Sequence, residues 1–125
     1  MRRRLGRQAG SWMSPETIVR ETAELVAHAR ATAERMPGAI RIAFRCKWVG
    51  LAGRELKDFG SAYWSPGWIA RADRRVIATD WALPVLASNW EEVVASLACP
   101  VLSLFGFDNC GPDFVRGVAP RFKKL

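Results

Sequence analysis

Three cysteines and one histidine are the residues of this sequence best suited to nucleophilic, acid–base or zinc chemistry: Cys46, Cys99, Cys110 and His28. A reactive cysteine needs a base or positive charge beside it, and a zinc site needs ligands at paired spacings. The four residues lie far apart in the chain and show neither pattern. We therefore predict free thiols in a reducing compartment, with no zinc site and no disulfide framework.

The local sequence around each of the four residues is also typical of structural roles. His28 follows Glu24 by about one helical turn, as in an ordinary solvent-exposed pair. Cys46 falls on the inward side of an alternating strand and Cys99 within an apolar helix, where thiols behave as small hydrophobes. Cys110 is expected to be the most accessible of the three, but its acidic neighbours disfavour a thiolate. We predict no catalytic residue and favour a binding protein over an enzyme.

Glu55, Lys57 and Asp58 form a grouping that resembles the acid and lysine cluster of metal-dependent nucleases. Such a site needs a further acid from a preceding strand to complete the metal shell. No aspartate precedes Asp58, and the earlier glutamates belong to a predicted helix. We therefore predict neither a metal nor another cofactor.

The positive charge of the chain, +7 in total, is concentrated at its two ends. Residues 1 to 9 contain no acid, and residues 116 to 125 contain none either, so that the stretch between them is close to neutral. Basic arms of this kind favour salt-sensitive binding to phosphate backbones, although an arginine-rich composition is also typical of a GC-rich genome. The arm residues predicted to bind nucleic acid are Arg2, Arg3, Arg4, Arg7, Arg121, Lys123 and Lys124.

A strand over residues 39 to 49 adds a third basic feature, because its apolar residues alternate with Arg41, Arg45 and Lys47. Period-two alternation predicts one buried face and one basic face. The basic face could contact phosphates. Alternatively, it is the solvated side of a sheet whose cations pair with Glu55 and Asp58 on a neighbouring strand.

Six tryptophans are present, and two of them, Trp64 and Trp68, flank a turn at residues 65 to 67. This position predicts an exposed aromatic pair. Such a pair could stack on bases or anchor a protein partner, since tryptophan is favoured in both roles.

The order of the predicted elements gives an α+β fold. Ser14, Pro15 and Glu16 mark the start of a helix that ends before Pro37 and Gly38. Three or four antiparallel strands follow, including residues 54 to 59 as the partner of residues 39 to 49. A late helix begins with a capping box at Ser88 and is kinked or ended by Pro100.

We expect an N-terminal arm over residues 1 to 13, a single domain over residues 14 to 115 and a basic C-terminal tail over residues 116 to 125. The sequence favours a small, cytoplasmic nucleic-acid or ribonucleoprotein-associated binding protein without a membrane span. The alternative is a protein-interaction module, such as an inhibitor or assembly subunit, that binds an acidic partner through Trp64 and Trp68. The oligomeric state is not predicted.

Overall fold

The computed structural model describes residues 12 to 56, 69 to 108 and 110 to 118. Helices and strands are mixed along the chain, which makes the fold α+β, as the sequence predicts. In order, the described elements are β1 (Trp12–Met13), α1 (Pro15–Glu34), β2 (Arg41–Trp48), β3 (Glu55–Leu56), β4 (Arg75–Ala82), α2 (Leu83–Ser88), α3 (Trp90–Ser103) and α4 (Pro112–Val118).

Helix α1 begins where its sequence indicates. The Ser14 hydroxyl accepts a hydrogen bond from the backbone N–H of Glu16 at 3.1 Å, and Pro15 occupies the first turn. Beyond the helix, Gly38 takes a positive φ of 83°. Not every large apolar residue in or next to α1 is buried, since Leu25 and Met36 are exposed. The residues it buries are Pro15, Ile18, Val19, Thr22, Val26 and Ala33.

Strand β2 pairs antiparallel with β4, from Arg41 opposite Ala82 to Trp48 opposite Arg75. The predicted pairing of β2 with residues 54 to 59 is wrong, because β3 pairs instead with β1, in parallel. The described residues therefore contain a two-stranded antiparallel sheet where three or four strands were expected. Alternation in a sequence assigns faces to a strand but leaves its partner open. Residues 57 to 59 of the predicted partner strand lie outside the described residues.

Helix α3 lies at the centre of the core and packs against α1, α4 and β4. Its buried residues extend around most of its circumference, as expected for a helix covered on several sides: Val93, Val94, Ala95, Leu97, Ala98, Val101 and Leu102. Pro100 does not end it, since the helix continues to Ser103. The predicted capping box is wrong, because Asn89 is the N-cap and the Ser88 hydroxyl donates to the Pro84 carbonyl of α2.

Cys99 and Cys110 form a disulfide with a Cα–Cα distance of 5.4 Å, so the prediction that both are free thiols is wrong. Cys99 lies near the end of α3, and the chain turns back after that helix to bring Cys110 beside it. The next residues form α4, whose Val115 and Val118 are buried. Arg116, expected at the start of the basic tail, lies in this helix. None of the described helices has the length and apolar character needed to cross a membrane.

Candidate nucleic-acid interface

The outer face of β2 presents three cations because successive side chains of a strand point to opposite sides. Arg41, Arg45 and Lys47 are exposed, whereas Phe44 is buried in the core. Ile42, Cys46 and Trp48 are partly buried and pack against the same core. The predicted division of this strand into a basic and a core-facing side is therefore confirmed.

Strand β4 completes this outer face with small residues and a single acid. Opposite the basic side chains of β2 lie Val76, Ala78 and Ala82, and opposite Ala43 lies Asp80. The Arg41 Nε donates to Asp80 Oδ1 at 2.7 Å, and both side chains are more than half exposed. Asp80, on β4, thus pairs with a cation of this face, a role for which the sequence suggested Glu55 and Asp58. Glu55 lies in β3, away from this register, and Asp58 lies outside the described residues.

Arg45 and Lys47 have a different environment from Arg41. Among the described residues, neither has a salt-bridge partner or a side-chain hydrogen bond. Their cross-strand neighbours, Ala78 and Val76, are too small or too apolar to shield them. Within the described part of the chain, these two cations therefore have no internal contact that an external anion would first have to break.

Two further arginines reach this region through the strand register. Arg75 begins β4 opposite Trp48 and therefore shares the face of Trp48, not that of Lys47, but both Arg75 and the preceding Arg74 lie at the end of the sheet that carries Lys47. Both are exposed. This pair was not predicted, because β2 was expected to pair with residues 54 to 59. We call Arg41, Arg45, Lys47, Arg74 and Arg75 together the basic ribbon.

Other described arginines stabilise the fold. The Arg71 guanidinium donates to the carbonyls of Ser103 and Leu104 at 3.0 and 3.4 Å, which satisfies acceptors at the end of α3. Arg116 contacts Asp113 at 2.7 Å within α4 and Glu91 of α3 at 3.5 Å. These contacts distinguish Arg71 and Arg116 from Arg45 and Lys47, which have no ion-pair partner among the described residues.

An open groove of about 420 Å³ lies between α1 and the edge of β2. The helix contributes Glu21, Thr22 and Leu25, and the strand contributes residues 45 to 48. The Thr22 hydroxyl is already satisfied, since it donates to the Ile18 carbonyl at 2.7 Å. Leu25 is 39% exposed and gives the groove an apolar wall.

Cys46 is the free cysteine of the described residues and lies in this groove. Burial raises the pKa of its thiol above the ordinary value, because desolvation penalises the thiolate. The groove thus holds a neutral thiol near physiological pH. Within the described ranges, no group of three or more His, Cys, Asp or Glu side chains is arranged to hold a metal ion.

The remaining predicted binding residues lie outside the described part of the chain. They are the arm residues Arg2, Arg3, Arg4, Arg7, Arg121, Lys123 and Lys124 and the aromatic pair Trp64 and Trp68. The structure therefore brings together the strand cations, with Arg74 and Arg75 added to them.

Comparisons with protein-family models, with curated proteins and with solved structures find no match to this chain.

Proposed function

We propose that this protein binds nucleic acid without catalysis, through the basic ribbon and the two basic arms. The observation that carries the proposal is the exposure of Arg45 and Lys47, which have no ion-pair partner among the described residues, on one face of a two-stranded antiparallel sheet. The major groove of B-form DNA admits a two-stranded β-ribbon. Ala43 and Ala78 are small and exposed, which favours close approach of this face to a duplex.

Phosphate contacts should dominate the affinity. The outer face of the ribbon combines cations with alanine, valine and one aspartate, and these described residues include no aromatic side chain for base stacking. Lysine and arginine bound to phosphates release condensed counterions and give a steep salt dependence without sequence readout. We therefore expect the protein to bind duplex whatever its base sequence. The arms should add further phosphate contacts.

The first test compares duplex affinity over a salt series for wild type and the double variant Arg45→Gln/Lys47→Gln. Loss of two phosphate contacts should lower the slope of log affinity against log salt by about 2. The matched control is Arg30→Gln/Arg35→Gln, which removes the same charge from α1 and its C-cap. Fluorescence anisotropy of a labelled random-sequence duplex measures each slope. Equal slopes for the two double variants would contradict a role for the ribbon.

The arms are tested in the same assay by replacing Arg2, Arg3, Arg4 and Arg7 with glutamine in the full chain. A further fall in slope is expected if these cations contact phosphate. Absence of binding at low salt by the wild type would overturn the nucleic-acid proposal as a whole. A pull-down comparing wild type with Trp64→Ala/Trp68→Ala would then test the acidic protein partner.

A further inference from the structure

The edge of β2 that faces away from β4 has no strand neighbour within the described residues. An edge strand carries backbone N–H and C=O groups that can pair with another extended chain. β2 is eight residues long, which is enough to hold a peptide in register along its length. This edge can therefore accept an added strand by backbone hydrogen bonding.

The groove beside β2 determines which side chains such a strand would need on its inner side. Leu25 and Trp48 provide apolar surface there, and Cys46 presents a neutral thiol. Glu21 lies on the helix side of the same groove and would repel an acidic side chain that entered it. Inward positions of an added strand are therefore best filled by apolar residues.

The outer side of an added strand would lie beside the cations of β2. Neighbouring strands place side chains of one face about 4.5–5.5 Å apart at Cβ, where opposite charges attract and like charges repel. Arg45 and Lys47 lack internal partners among the described residues, so they can pair with acids on the added strand. Outward positions are therefore best filled by aspartate or glutamate.

A second copy of the chain suits this edge less well. If β2 paired antiparallel with itself about Phe44, Arg41 would lie opposite Lys47 of the other copy. Pairing about Arg45 would place Arg45 of one copy opposite Arg45 of the other. Pairing about Cys46 would place Arg45 of one copy opposite Lys47 of the other. Each of these registers places cations against cations, so an acidic strand is favoured over β2 of another molecule.

We propose that the free edge of β2 binds an extended peptide in which acidic residues alternate with apolar ones. The peptide adds an outer strand to the sheet, with its acids beside Arg45 and Lys47 and its apolar side chains over Leu25 and Trp48. This inference goes beyond nucleic-acid binding and does not depend on it: the two proposals share Arg45 and Lys47, but the peptide site also needs the strand edge and the apolar wall at Leu25.

The test uses a labelled eight-residue peptide in which glutamate and valine alternate, titrated with the full-length protein in the absence of nucleic acid. Its control has the same composition, with four glutamates followed by four valines. Strand addition requires alternation, so the block peptide should bind at least tenfold more weakly. A second control peptide, N-methylated at alternate residues, retains the side chains but blocks the backbone pairing. Its affinity should also be at least tenfold lower.

The groove is tested by Leu25→Glu, which places a charge where the apolar side chains should lie. Leu25 is partly exposed, so the variant should fold, and the matched control is Ala27→Glu on an exposed position of the same helix. We expect Leu25→Glu to lower the affinity for the alternating peptide at least tenfold and Ala27→Glu to leave that affinity nearly unchanged.

Amide chemical shifts of the protein locate the peptide, and the largest changes should fall along β2. Equal binding of the alternating, block and N-methylated peptides would overturn the proposal. Peptide-induced changes confined to elements other than β2 would also overturn it, as would self-association through β2 that excludes the peptide. Duplex binding is measured separately, so the loss of either function leaves the other test interpretable.

Discussion

Arg45 and Lys47 differ from Arg41, although the three side chains share one face of β2. Asp80 lies opposite Ala43 and therefore diagonal to both Arg41 and Arg45, and it pairs with Arg41. An exposed pair of this kind contributes only about 0–1 kcal/mol to stability, but it neutralises one end of the face. The unpaired positive charge described on this face is consequently at Arg45 and Lys47, towards the end of β2.

The reactivity of Cys46 gives a prediction at the scale of a single residue. Burial raises its thiol pKa, so alkylation by iodoacetamide should rise at a higher pH in native protein than in protein unfolded in urea. Because the pKa of Cys46 is higher in the folded than in the unfolded protein, the stability contributed by the neutral thiol is fully present below the unfolded-state pKa. It is lost as the pH rises through the folded-state pKa.

Mass spectrometry across a pH series measures this alkylation. Without reductant, label should appear at Cys46 alone, because Cys99 and Cys110 are joined. Cys46→Ala is the control and should remain unlabelled. Coincident pH curves for native and unfolded protein would contradict the prediction for Cys46, and label at Cys110 would contradict the disulfide.

At the scale of elements, the end of α3 is fixed to its surroundings in several ways. Arg71 donates to its terminal carbonyls, the Cys99–Cys110 disulfide ties it to the chain entering α4, and Arg116 links α4 to Glu91 at its first turn. The disulfide and the Arg116–Glu91 contact restrain the position of α4 relative to α3, whereas Arg71 ties the end of α3 to the chain before β4. A seven-residue helix would be marginal alone, so these restraints and its buried valines account for its formation.

Removal of the disulfide should destabilise the protein by about 3 kcal/mol, the loop-closure value for a loop of this size. The variant is Cys99→Ala/Cys110→Ala, and the control is Cys46→Ala, which removes a thiol without opening a loop. Urea denaturation gives the free energy of unfolding of each under oxidising conditions. Equal unfolding midpoints for wild type with and without reductant would count against a stabilising disulfide.

Local signals were sufficient for some elements and insufficient for others. The limits of α1 and the alternation of β2 follow from capping residues and from period two, so both were predictable. The choice of β4 as the partner of β2 depends on tertiary packing, and so does the approach of Cys110 to Cys99. For that reason Asp80, Arg74 and Arg75 were absent from the predicted site, although its three β2 cations were present.

At the scale of the whole molecule, charge and core are separated. The net charge of +7 arises mainly from residues 1 to 9 and 116 to 125, whereas the described body contains the buried helix α3. The fold therefore depends on apolar contacts around α3, and substitutions of ribbon or arm cations should leave stability nearly unchanged. This separation allows binding variants to be compared without a large correction for folding.

Leu97→Ala tests the central role of α3. Leu97 is fully buried, so truncation should cost about 2–5 kcal/mol through lost apolar contacts and a cavity. The control Leu25→Ala removes the same atoms from a partly exposed position and should cost less than about 1 kcal/mol. Urea denaturation compares the two, and similar losses would argue against α3 as the core element.

The two strands of the basic ribbon, β2 and β4, are separated along the chain by residues 49 to 74, and this separation couples the proposed binding face to folding. A surface assembled from distant segments exists only once the intervening loop has closed and the native contacts have formed. The charges of the arms, in contrast, are present in the unfolded chain as well. The ribbon should therefore lose its affinity in the same cooperative transition that unfolds the core, while the electrostatic attraction of the arms persists through it.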